Sequence, residues 1–111
     1  MKYKLVWSKD AGEEFFEIVS WYKYNVGINA ARKIYVKINS QIKRLKEIPG
    51  IGKSAQVLKD IGVNDYRQIA IEHWLIYYKI ENQNINIVSI IDGRRNLEEV
   101  LYKKIIDGKI K

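Results

Sequence analysis

Hydrophobic and polar positions alternate from Lys2 to Ser8, with Tyr3, Leu5 and Trp7 on one side and Lys2, Lys4 and Val6 on the other. That period of two predicts a strand with one buried face. From Ala11 the period lengthens: Ala11, Phe15, Ile18, Val19, Tyr22 and Val26 recur at helical spacing. Ser8 is placed to cap this helix, Asp10, Glu13 and Glu14 suit the positive end of its dipole, and Gly27 supplies a stop. A second helical stripe follows through Ile34, Ile38, Ile42 and Leu45, flanked by Ala31 and Tyr35, with Asn29 as its expected cap. Pro49-Gly50 ends it, because proline cannot continue the hydrogen-bond ladder and restricts the residue before it. Two consecutive helices joined by so short a link should form an antiparallel hairpin.

Beyond Ile51-Gly52-Lys53-Ser54 the pattern predicts a strand over Ala55 to Lys59 and a turn from Asp60 to Asp65. The stretch from Tyr66 to Arg95 then reads as three strands in an antiparallel meander, with turns at Glu72-His73 and Asn82-Gln83-Asn84 and an end at Asp92-Gly93. Ile85 to Ile91 is apolar on both faces, the mark of an interior strand covered on two sides. Asn96 and Glu99 have capping-box spacing ahead of a helix from Leu97 to Ile106, with Leu97, Val100, Leu101 and Ile105 as its stripe and Gly108 as its stop. The tail Lys109-Ile110-Lys111 is expected to fray. The fold class is therefore α+β: an N-terminal strand and a C-terminal meander in an antiparallel sheet, packed against a two-helix hairpin, with a short C-terminal helix. One domain is expected over residues 1–111.

Composition narrows the chemistry. The chain has 111 residues and no cysteine, which excludes disulfides, thiolate metal sites and cysteine nucleophiles. A net charge of +7 suggests a polyanionic partner, either nucleic acid or an acidic protein segment, although dispersed lysines also serve solubility. Lys37, Lys43, Arg44 and Lys46 fall off the apolar stripe and read as a solvated face. No apolar run is long enough to span a membrane and the N-terminus lacks a signal-peptide core, so a cytoplasmic protein is expected. The Gly52-Lys53-Ser54 loop lacks the glycine spacing of a phosphate-cradling P-loop. No acidic or histidine cluster has metal-ligand spacing, and no cofactor is expected.

Individual side chains remain as candidates. Arg67 shares a face with Ile69 and Ile71 and needs a partner, either a phosphate or an acid such as Asp92. Arg94 and Arg95 follow the last strand as a contact pair. His73, the only histidine, is the one side chain whose ordinary pKa suits a general base, but a turn tip should hold it away from the far end of the meander. Trp7 and Trp74 fall on core faces, whereas Trp21, Tyr24 and Tyr77 are candidates for partner contacts.

The order of these elements resembles the RelE/ParE superfamily of type II toxin–antitoxin toxins, also called plasmid stabilisation proteins. The resemblance is carried by VWSKDAGEEFFEI (Val6 to Ile18), LKEIPGIG (Leu45 to Gly52), YRQIAI (Tyr66 to Ile71), WLIYYKI (Trp74 to Ile80) and INIVSIIDGRRN (Ile85 to Asn96). It implies a small toxin neutralised by a cognate antitoxin that wraps it with a flexible segment, here expected to be acidic. It implies one of two activities: inhibition of DNA gyrase, as in ParE-like members, or metal-independent cleavage of ribosome-bound mRNA, as in RelE-like members. For cleavage the resemblance puts Arg67 and Arg95 on the phosphate and Tyr102 or His73 in proton transfer. Leu75 stands where RelE-like enzymes carry a further catalytic arginine, and Leu101 where their terminal tyrosine would align. The ParE-like branch, acting by binding with Arg94 and Arg95 near the contact surface, is favoured.

Overall fold

The computed structural model describes residues 2–111. Its elements run β1 (Lys4–Trp7), α1 (Lys9–Asn25), α2 (Ile28–Arg44), a 3-10 turn (Pro49–Ile51), β2 (Lys53–Ser54), α3 (Gln56–Asp60), β3 (Tyr66–Ile71), β4 (Trp74–Glu81), β5 (Asn84–Asp92) and α4 (Leu97–Ile106). The five strands form one sheet in the order β1-β5-β4-β3-β2. The expected α+β class is observed, with β5 in the interior. One feature of the sheet differs: β1 joins β5 in parallel, Lys4 opposite Asn84 through Trp7 opposite Ile87. A period-two pattern says which side chains share a face and is blind to strand direction.

The helices cover both faces of the sheet. On one side Ile18 of α1 and Ile34, Ile38 and Ile42 of α2 meet Ile76, Tyr78, Ile85, Ile87 and Ile90 of the strands. Each fully buried isoleucine contributes about 2 kcal/mol of transfer free energy. Trp7 stacks on Phe15 at 5.5 Å and Phe15 on Tyr35 at 5.4 Å, so three aromatic rings tie β1, α1 and α2 together. The Phe15–Tyr35 pair fixes the hairpin as antiparallel. On the other side Leu58 of α3 and Leu101 of α4 pack against Tyr66, Tyr77, Val88 and Ile91.

Several local expectations are corrected. The segment expected as a strand over Ala55 to Lys59 is helical: Ala55 and Leu58 are buried at i, i+3 spacing, and only Lys53–Ser54 pairs with β3. Gly27, at φ 139°, precedes α2 as its cap in place of Asn29, leaving α2 without a side-chain cap. Val26 is exposed, because the chain leaves α1 there for the interhelix link. The tail does not fray: Ile110 is buried in the second core and the Lys111 carbonyl accepts from the Tyr66 hydroxyl at 3.0 Å. Ser8 and Asn96 cap as expected, each accepting from the backbone N–H three residues on, Ala11 and Glu99 respectively.

Candidate functional site

The last strand ends in a short turn that displays two arginines. Asp92, a residue favoured at the first position of such turns, accepts the Arg95 N–H on its carbonyl at 3.1 Å and the Arg94 N–H on its carboxylate at 3.0 Å. The same carboxylate holds the Arg94 guanidinium as a fork, Nε to Oδ1 at 3.0 Å and Nη2 to Oδ2 at 2.8 Å. The Arg94 hydrogen bonds hold the Asp92 carboxyl well below its ordinary range, at about 2. Gly93 donates to the His73 carbonyl at 2.7 Å, and a Cβ on it would press on the Leu75 side chain at 3.2 Å and that carbonyl at 3.3 Å. A side chain there would need the Leu75 side chain or the His73 carbonyl to give by a few tenths of an ångström.

These contacts correct the expected position of His73. Antiparallel pairing puts Trp74 opposite Asp92, so the β3–β4 turn lies beside the end of β5, not away from it. The His73 ring leans on Trp74 at 4.4 Å. The neighbouring Glu72 holds a positive φ of 55° and is tied to Lys37 of α2 at 2.9 Å. Tyr22 of α1 shares a hollow with Lys37 and Glu72, and Trp21 lies edge-on to it at 5.3 Å. Trp21 and Tyr24 are 56% and 80% exposed, positions open to a partner.

Other candidates lie elsewhere. Arg67 pairs in register with Tyr78, four residues along β4 from Trp74, which separates it from the Asp92 turn by about 13 Å of strand. Arg67 and Arg95 therefore do not form one cluster. Nor does Arg67 reach Asp92: its Nη1 donates to the Gly52 carbonyl at 2.7 Å. Gly52 is required there, since a Cβ would fall 2.5 Å from the Tyr78 hydroxyl and 2.8 Å from the Gln68 carbonyl. Tyr77, expected at a contact surface, is fully buried. The alternation is right, but α3 and α4 cover that face of the sheet, and burial pushes the phenol up to about 12. Leu75 packs in the same core, and Tyr102 is exposed on α4 over a hollow with Ile61 and Glu98. Arg95 lines a different hollow, with Glu14, Lys103 and Lys104.

One constellation escaped the sequence reading. Lys104 of α4 is buried and bonds Asp10 and Glu14 of α1, the latter at 2.9 Å, while Lys109 reaches Asp10 at 3.2 Å. The other Glu14 oxygen accepts from the Ser89 hydroxyl at 2.9 Å and the Ile90 N–H at 3.0 Å. A bulge displaces the register here: Tyr77 faces Ser89 while Tyr78 faces Ile87. Glu14 thus satisfies strand groups beyond the reach of the short β1. The available signal was Lys104 itself, three residues after Leu101 on the apolar stripe of α4.

The family model described as the ParE toxin of the type II toxin–antitoxin system, parDE, matches residues 5–97. The chain belongs to the ParE toxin family. Toxin ParE3 of Caulobacter vibrioides is 29% identical over 80 residues, covering 72% of this chain and 76% of that protein. A structure described as the chromosomal ParDE TA system from P. aeruginosa superposes with a TM-score of 0.67 at 21% identity, over 81% of this chain and 95% of that one, and bears on the fold. In this ParE toxin the family match runs from β1 through the Asp92 turn to the first residue of α4. It takes in His73, Arg94 and Arg95 and stops short of Tyr102 and Lys104. No helix among the described residues is long and apolar enough to cross a membrane.

Proposed function

We propose that this ParE toxin halts growth by binding DNA gyrase in the cytoplasm, with Arg94 and Arg95 in the contact, and that a cognate antitoxin with an acidic segment neutralises it. The observation that carries this reading is the separation of the basic side chains. A cleavage site needs several donors converging on one phosphate, whereas Arg67 and Arg95 stand about 13 Å of strand apart and Leu75 is core. Arg94 and Arg95, by contrast, are exposed on a closed turn, and exposed arginines, like exposed aromatics such as Trp21, are common anchors of a binding surface.

The test is a supercoiling assay with purified gyrase. Stoichiometric toxin is expected to block supercoiling, and the Arg94→Ala/Arg95→Ala variant to need at least about tenfold more protein, the cost of one good contact. The variant should keep the wild-type circular dichroism spectrum, with thermal unfolding lowered only by the loss of the Asp92–Arg94 fork. Supercoiling left untouched, together with cutting of mRNA on ribosomes, would overturn the proposal in favour of endoribonuclease activity.

A further inference from the structure

Positive charge is unevenly compensated over the fold. Ion pairs among the described residues involve α1, α2, α4 and its flank, the two hairpin turns and the end of β5. None of them takes Lys59 or Arg67, which lie where α3 meets the start of β3. Register sets Ser54 beside Arg67 and Lys79 of β4 beside Tyr66, whereas Lys53, opposite Gln68, lines a separate hollow with Arg44. Lys59, Arg67 and Lys79 line an open hollow of about 620 Å³ with Ser54 and Asn64, against one lining carboxylate, Asp65. The nearby Asp60 carboxylate is engaged by the Gln56 amide at 2.7 Å.

Arg67 is the centre of this imbalance. It is half-buried, and its protein acceptors are the neutral carbonyls of Gly52 at 2.7 Å and Gly50 at 3.5 Å, both on Nη1. A guanidinium has five N–H donors, so these contacts leave donors unused and the charge uncancelled. Lys79 is held with its ammonium 5.5 Å over the Tyr66 ring, and its carboxylate neighbour Glu81 is loose at 3.7 Å. The lining is polar apart from Ile80, which offers no seat for the apolar anchors of a peptide. Tyr66 is buried and presents no free ring for base stacking. Such a surface suits phosphate oxygens and reads no base.

We propose that the β2 end of the sheet binds the phosphodiester backbone of a nucleic acid without sequence preference, through Lys59, Arg67 and Lys79. The site lies at the opposite end of the sheet from Arg94 and Arg95, and the proposal does not depend on gyrase.

The experiment is fluorescence anisotropy of a labelled duplex DNA of about 20 base pairs, and of a single-stranded RNA of similar length, titrated with the full chain over about 50 to 200 mM salt. Three neutralised phosphates predict a log–log salt slope of about −2.7 for the duplex and about −2.1 for the single strand. Lys59→Gln/Lys79→Gln should reduce the duplex slope by about 1.8. Lys9→Gln/Lys23→Gln, with the same loss of charge on α1, should leave it unchanged. Tighter binding of either polymer supports the proposal and names the polymer. Absence of binding at about 50 mM salt, equal affinity for polyglutamate, or the same slope change in both double variants would overturn it.

Discussion

Arg94 and Asp92 show how one side chain can be exposed and still be held in place. The fork between them closes a loop of only two residues, so little chain entropy opposes it, and the Arg94 N–H adds a third bond to the same carboxylate. The depressed Asp92 pKa is the measurable trace of that arrangement. A carboxyl near 3.8 when unfolded and about 2 when folded favours the native state fully above the first value, and that contribution is lost as pH falls through the second. Carboxyl-detected NMR titration should place the Asp92 midpoint near 2, and Arg94→Ala should return it towards 3.8. A midpoint unmoved by that substitution would mean the fork does not form in solution.

The helices contribute differently. α2 is held mainly by its apolar stripe, its Lys37–Glu72 pair being exposed, whereas α4 is also pinned by a largely buried charge, through Lys104 on Asp10 and Glu14. Because Glu14 also bonds Ser89 and Ile90, this node clips α1, β5 and α4 at one point. Lys104→Met should destabilise the protein by about 3 kcal/mol in urea unfolding, since it leaves largely buried carboxylates without their main cation. The triple variant Asp10→Asn/Glu14→Gln/Lys104→Met should recover part of that loss. Burial pushes the Asp10 carboxyl up, but the hydrogen bonds from Lys104 and Lys109 outweigh it and leave it below 3.8. Its contribution is therefore present above 3.8 and disappears as acid titrates the folded group. The node is a reason to expect α4 to detach early in acid.

Seen as an object, the protein has two basic ends with different surroundings. At one end Arg94 and Arg95 sit on a turn held by the Asp92 carboxylate and bonded to the His73 carbonyl; at the other Lys59, Arg67 and Lys79 line a polar hollow. Sites so far apart, sharing no partner, should act independently. Arg67→Gln and Arg95→Ala are expected to add in unfolding free energy within about 0.5 kcal/mol. A coupling well above that would place the two side chains in one network and revive a shared phosphate site.

Much of this was legible in the chain, because periodicity and capping are local physics. The stripes of α1, α2 and α4, the Ser8 and Asn96 caps, the places of the two hairpin turns and the interior position of β5 follow from which residues repeat at 3.6 and at 2. The exposed aromatics Trp21 and Tyr24 and the basic turn after β5 were visible for the same reason. What depended on packing was everything long-range. Strand direction at β1, the cover that buries Tyr77, the approach of His73 to Gly93, the distance between Arg67 and Arg95, and the pairing of Lys104 with residues some ninety positions away all depend on which surfaces meet. A side chain's neighbours along the chain set its conformation and its face; the layer that closes over that face sets its dielectric, its partners and its charge, and no repeat along the chain carries that information.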